Sequence, residues 1–175
     1  MSDASTPRPS ASPTLVRVVC GVVRRGNTVF VARRAAHKSN PSVWEFPGGK
    51  IEPGEDPASA LRREWLEEFC VPIEVGRHLA TTRATTRAGE IELVAFWATM
   101  ERIPLAATDH DRFEFCRADA LATLEMTAPD RLIARLLCEA PSDYAAVSPP
   151  PDEPVASPAP EIRRDEPHPS GGSDD

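Results

Sequence analysis

Glu64, Glu67 and Glu68 are the residues whose types and spacing most plainly invite chemistry. Asp56 offers an N-cap oxygen and Pro57 has its φ preset for a first helical position, so the spacing predicts a helix from Pro57 to about Phe69. At about 100° per residue the three glutamates share one arc roughly 100° wide, with the small Ala60 in its middle. Ala58, Leu61, Trp65 and Phe69 form a separate apolar stripe beside that arc. Carboxylates at i, i+3 and i+4 repel one another, and a hard divalent cation between them is the natural remedy. Oxygen-only ligands favour Mg²⁺ or Mn²⁺ over zinc. For the helix alone, a solvated charged face explains the run more simply. The preceding segment shifts the balance: Gly48, Gly49 and Gly54 bracket a short strand and turn carrying Glu52 and Glu55. Glycines there permit a backbone path that puts main-chain carbonyls and amides against a ligand or metal.

Together these parts fit G-x5-E-x7-R-E-U-x-E-E-x-G-U, from Gly49 through Glu55, Arg63, Glu64, Glu67 and Glu68 to Val71. In this the sequence resembles the Nudix hydrolase family. Two positions depart from the motif: Trp65 stands where a medium aliphatic is usual, and Cys70 where glycine is usual. Trp65 is expected to act as a larger core anchor. Cys70 falls where a helix end wants φ > 0, which implies a strain of about 1 kcal/mol or a different exit. Neither departure removes a carboxylate.

By this resemblance Glu64, Glu67 and Glu68 are metal ligands, the Gly49 carbonyl is another, and Glu64 or a neighbour serves as base. Arg63 orients the glutamates together with Glu55. The doubled Arg33-Arg34 followed by WEFPGGK resembles the MutT subgroup and its relatives acting on cytidine triphosphates. That subgroup implies that Arg34 reaches the nucleotide and that Phe46 lines the base pocket. An exposed strand-end charge explains Arg34 as well, and Phe46 fits a core position. Asp109, six residues before Phe115, occupies the place of a loop glutamate that supplies a further metal ligand, one methylene shorter. Asp130 follows a Pro-containing turn where the subgroup carries a base-reading Asn or Asp. The plainer reading of Asp130 is a capping box with Thr127 as N-cap.

The elements that must position these residues are legible from patterning. Leu15 to Val23 and Thr28 to Ala32 flank an Arg24-Arg25-Gly26-Asn27 turn and predict a hairpin. Ile73 to Thr86 and Glu90 to Met100 predict a second hairpin around Ala88-Gly89, with Arg83 and Arg87 on a rim or a solvated edge. Thr108 to Phe115 calls for another strand. A short helix is expected over Ala118 to Leu124, and one opened by Thr127 packs through Leu132, Ile133, Leu136 and Leu137. His37 and His78 have no partner at ligand spacing and receive no catalytic role.

The chain of 175 residues divides by composition. Residues 1–14 are rich in Ser, Pro and Ala, and residues 141–175 in Pro, Ser, Asp and Glu, so both are expected to be disordered around one domain at 15–140. The C-terminal segment holds eight acidic residues against two arginines, which is most of the formal charge of −7. The near-neutral middle argues against a nucleic-acid polymer as partner and suits a small anionic substrate held through metal. No partner is assigned to the acidic tail. No stretch spans a membrane and no secretory signal is evident, so a cytoplasmic location is expected. Cys20, Cys70, Cys116 and Cys138 are scattered without C-x-x-C, which predicts free thiols rather than zinc or a redox pair.

The resemblance, spanning roughly Val16 to Leu137, implies an α/β Nudix fold: a mixed β-sheet sandwiched between helices, with the box as loop-helix-loop. The implied activity is a Mg²⁺-dependent (or Mn²⁺-dependent) nucleoside triphosphate pyrophosphohydrolase releasing a nucleoside monophosphate and pyrophosphate. An 8-oxo-dGTP diphosphatase role in nucleotide pool sanitation and DNA repair comes first, with a (d)CTP or 5-methyl-dCTP pyrophosphohydrolase second. A non-catalytic Nudix-fold binding module is the third possibility, motivated by Trp65, Cys70, Asp109 and the tail. Substrates such as ADP-ribose or NADH are disfavoured, because Thr81 to Ala88 holds no proline and the single tyrosine is Tyr144 in the tail.

Overall fold

The computed structural model describes residues 15–86 and 89–139. The expectations for residues 1–14, for the tail from 141 and for Arg87 lie outside the described residues.

The centre of the fold is β1, Leu15–Arg25. It turns through Gly26-Asn27, with Gly26 at φ 55°, into β2, Thr28–Arg34. The hairpin ladder is short, Arg24 facing Val29 and Arg25 facing Thr28, because most of β1 pairs elsewhere. It runs parallel to β6, Gly89–Met100, from Leu15↔Glu90 to Val23↔Ala98, and antiparallel to β4, Gly48–Lys50. The second hairpin forms as patterning predicts, β5 at Ile73–Thr86 pairing with β6. The short β3, Trp44–Glu45, and β7, His110–Arg117, both pair with β2. Among the described residues the result is one mixed seven-stranded sheet.

Alternation along β1 sends its side chains to two faces, and each face is covered by a helix. Val19 and Val23 pack with Leu61, Trp65 and Phe69 of α1, Pro57–Phe69. Cys20 and Val22 pack with Ile133, Ala134 and Leu137 of α2, Ala128–Glu139. Between β7 and α2, Ala118–Thr123 makes a 3-10 turn where a short helix is expected. On α2 the structure corrects half of the expected stripe: Ile133 and Leu137 are buried, while Leu132 and Leu136 are exposed. Ala134 and Pro129 complete the inner face instead.

Candidate active site

The helix α1 begins where the sequence predicts it, because the Asp56 carboxylate accepts from the amides of Ala58 at 3.0 Å and Ser59 at 3.1 Å. It ends at Cys70, which adopts the left-handed conformation at φ 52°, its amide donating to Leu66 O at 3.1 Å. The wide Trp65 is fully buried, and its indole N–H donates to Pro47 O at 3.3 Å. Gly21 makes room for it: a Cβ there would lie 3.1 Å from Trp65 Nε1.

Ala60, in the middle of the glutamate arc, is fully buried, so this arc faces the protein. The Glu64 and Glu68 side chains are only 14% and 12% exposed, whereas Glu67 is 60% exposed. A solvated charge run describes Glu67 and fails for the other two. Antiparallel pairing of β4 with β1 holds Gly49 opposite Val19 and against the Glu64 carboxyl. A Cβ at Gly49 would sit 2.2 Å from Glu64 Cδ, and one at Gly48 2.0 Å from Val19 O. Gly48 therefore needs glycine on space alone, whereas a side chain at Gly49 would displace the Glu64 carboxyl.

Arg63 gathers the acidic groups. It donates to both Glu55 oxygens, Nε to Oε1 at 3.0 Å and Nη2 to Oε2 at 2.9 Å, and through Nη1 to Glu64 Oε1 at 2.9 Å. Nη1 also reaches Glu67 at 3.4 Å, and Nη2 donates to Lys50 O at 3.0 Å. The paired guanidinium holds Glu55 below the usual carboxylate range.

Glu68 is the opposite case. Burial, with Asp109, Glu64 and Glu45 adding negative potential, pushes its pKa up to about 8. Its Oε2 is buried without a hydrogen-bond partner. Asp109 is brought beside it by two main-chain bonds, Thr108 N to Glu68 O and Ala35 N to Asp109 O, both 3.0 Å. Burial opposes ionisation of Asp109, but Lys38 Nζ at 2.6 Å from Oδ2 outweighs it and holds the carboxyl below its ordinary value.

Two residues of the site, Glu45 on β3 and His110 on β7, are given no role by the sequence. Register slips between Arg33 and Arg34, so Arg33 faces Arg112 and Arg34 faces His110. Arg33 pairs outward with Asp111 at 2.8 Å. Arg34 instead donates to Glu45 Oε1 at 2.9 Å and to Ser39 O at 2.7 Å. Glu45 also meets His110 Nε2 at 2.9 Å. Glu45 has no role of its own within WEFPGGK and His110 lies in no motif; the pairing of β2 with β3 and with β7 reveals them.

On the other side of the sheet, Phe46 is 3% exposed and sits in the α2 core. Asp130 is buried beneath it. One carboxylate oxygen accepts from Phe46 N at 3.0 Å and the other from the Thr127 hydroxyl, while Asp130 N lies 3.5 Å from Thr127 Oγ1. Thr127 thus caps α2 as the plainer reading expects, and burial pushes the Asp130 pKa up to about 7. Arg83 is bound to Glu92 at 2.6 Å, together with Arg17 at 2.9 Å. Among the described residues no helix is long and apolar enough to cross a membrane.

The donor set fits a hard divalent cation in kind: Glu68 presents a buried oxygen without a partner, and Glu64 and Asp109 lie close enough to raise its proton affinity. Among the described residues no three His, Cys, Asp or Glu side chains stand in ligand geometry. Glu64 is paired with Arg63 and Asp109 with Lys38.

The NUDIX domain model matches residues 14–137. A CTP pyrophosphohydrolase of Escherichia coli strain K12 is 30% identical over 102 residues, 58% of this chain and 76% of that protein. An 8-oxo-dGTP diphosphatase of the same strain is 44% identical over 54 residues, 30% of this chain and 42% of its own length. The solved MutT protein of Methanosarcina mazei Go1 is 16% identical with a TM-score of 0.67, covering 76% of this chain and 99% of that one, a likeness of fold.

Proposed function

Because the chain belongs to the Nudix family, with its α/β fold and mixed sheet, we propose that it is a metal-dependent nucleoside triphosphate pyrophosphohydrolase of the MutT type. The observation that carries this is Glu68, a buried carboxylate with an oxygen lacking any partner, beside Glu64 and Asp109. Concentrating like charge among largely buried carboxylates is costly unless a cation completes it.

Glu64, Glu67, Glu68, Asp109 and the Gly49 carbonyl would hold Mg²⁺ or Mn²⁺. When bound, such an ion supplies charge neutralisation at the phosphates and lowers the pKa of attacking water. The chain's own residues do the rest. Arg63, fixed by both Glu55 oxygens, orients Glu64 and limits its rotamers. Glu64 would take a proton from water, and Arg34 would balance phosphate charge. The products are a nucleoside monophosphate and pyrophosphate.

For the base, an 8-oxo-dGTP-type purine is the first candidate. A cytidine triphosphate is the second, favoured by the CTP pyrophosphohydrolase whose likeness runs over 102 residues. Asp130 and Phe46 are the residues we assign to the base. Asp130 would accept from an exocyclic amine, which both bases carry.

Pyrophosphate release from 8-oxo-dGTP, dGTP, dCTP, 5-methyl-dCTP, CTP and ADP-ribose, with Mg²⁺ and with EDTA, tests this. Metal-dependent turnover of 8-oxo-dGTP above dGTP is the expected result. Preference for cytidine nucleotides selects the second base. Absence of metal-dependent turnover across the panel overturns the enzymatic reading in favour of a binding module.

A further inference from the structure

One side chain next to the box has no assigned task. His110 opens β7, and its side chain is fully buried, its ring stacked on Phe69 with centroids 5.3 Å apart and planes at 15°. Nε2 lies 2.9 Å from Glu45 Oε1, the oxygen that also receives Arg34 Nη1 at 2.9 Å. Nδ1 faces Glu68 Oε2 at 3.9 Å. These two facing atoms are both buried and both without a hydrogen-bond partner.

A ring needed only to fill space beside Phe69 would be better served by phenylalanine, since each buried ring nitrogen left unpaired costs desolvation. Here one nitrogen is anchored and the other is aimed at a carboxylate oxygen that has no other protein partner. The anchor is itself rigid. Glu45 is held in β3 by pairing with β2 and by Arg34. The slip in register that places His110 opposite Arg34 turns both residues towards Glu45.

We propose that His110 is a positioning residue for Glu68: braced on Glu45 and Phe69, its Nδ1 lies against one carboxylate oxygen at 3.9 Å and closes off that side, so that the other oxygen is presented in a fixed direction. Through Glu45 the same brace joins Arg34, on the substrate side, to Glu68, on the metal side. The inference rests on the reading of Glu68 as a metal ligand.

The test is a Mn²⁺ titration of the full-length protein, following free Mn²⁺ by electron paramagnetic resonance, with thermal melting recorded for each variant. His110→Phe keeps the stacking and removes both nitrogens. His110→Asn places an amide near the Nδ1 position, and His110→Gln places one near Nε2. Fixing a ligand through a neighbour is worth about tenfold or more in affinity, so His110→Phe is expected to weaken Mn²⁺ binding by at least about that factor. Its melting temperature should equal or exceed that of the wild type. His110→Asn should restore affinity to within about threefold, and His110→Gln should not.

Wild-type Mn²⁺ affinity in His110→Phe overturns the inference. So does equal loss in the Asn and Gln variants, which also decides the matter if the Phe variant does not fold. Glu68→Gln separates this from the parent reading. Wild-type Mn²⁺ affinity in Glu68→Gln removes Glu68 as a ligand, and the inference with it. Loss in Glu68→Gln alongside full affinity in His110→Phe overturns only the role of His110.

Discussion

At the scale of single residues, the site is set by which carboxylates lack a partner. Glu55 is neutralised by Arg63, Asp109 by Lys38 and Glu92 by two arginines. Glu68 differs: among the described residues its buried Oε2 has no hydrogen-bond partner. Gly49 belongs to the same account, because its missing Cβ is the space in which the Glu64 carboxyl sits. Gly49→Ala would put a methyl 2.2 Å from Glu64 Cδ and force that carboxyl away. A displacement on the order of 1 Å is expected to cost about a hundredfold in kcat. Steady-state kinetics beside circular dichroism checks that the fold survives.

Asp130 yields a prediction of a different kind. Its pKa of about 7 in the folded chain exceeds that of an unfolded aspartate, so the native state holds the extra proton between roughly pH 4 and 7. Its contribution is fully present at low pH and is lost as pH rises through 7. Stability should therefore fall by on the order of 2 kcal/mol from pH 5 to pH 7.5 through this group. Asp130→Asn keeps an acceptor for Phe46 N and should flatten that slope, which urea unfolding at the two pH values measures. An unchanged slope would contradict the burial argument.

The residues that were legible in the sequence are those whose spacing is local. Glu64, Glu67 and Glu68 fall on one helix, and helical periodicity alone puts them together. That Glu67 is exposed while Glu64 and Glu68 are enclosed was not legible, because it depends on what α1 packs against. Glu45 and His110 were illegible for a stronger reason. They are 65 residues apart and meet only through strands that pair across β2.

Among the elements, α1 is the most completely specified. Asp56 and Pro57 fix its start, and Leu61, Trp65 and Phe69 supply its buried stripe. Its end is its weak point, since Cys70 holds φ 52° with a Cβ that disfavours it. Cys70→Gly should raise stability by about 1 kcal/mol. The carbonyl that receives Arg102 at 2.9 Å is main chain and is retained. Equilibrium urea unfolding with kcat measured alongside checks both halves: higher stability, unchanged turnover. Trp65 shows how an apparent departure from a motif can be accommodated elsewhere. The space comes from Gly21 on β1, a relation between two elements that no local pattern contains.

For the whole molecule, a central strand with a helix on each face explains why one end of the sheet can carry the chemistry. β1 pins β4, β4 places Gly49 over α1, and β2 pins β3 and β7, which bring Glu45, Asp109 and His110 to the same helix. The two hairpins were readable from their turns. The parallel pairing of β1 with β6 was not, because it joins strands far apart in the chain without a turn to announce it. The described residues contain every side chain assigned a role. A chain trimmed to residues 15–139 should therefore keep its melting temperature and kcat, although it loses most of the acidic excess. A collapse of either on trimming would show that the ends contribute to the domain.

If a metal held at Glu68 drives pyrophosphate release, turnover must depend on both that carboxylate and the ion. Wild type and Glu68→Gln are assayed for nucleoside monophosphate and pyrophosphate from the preferred triphosphate, with Mg²⁺ and with EDTA. The variant should be slower by on the order of 10³-fold, melt no lower than the wild type, and the wild type should stop in EDTA. Wild-type turnover by Glu68→Gln, or turnover that survives EDTA, would contradict it.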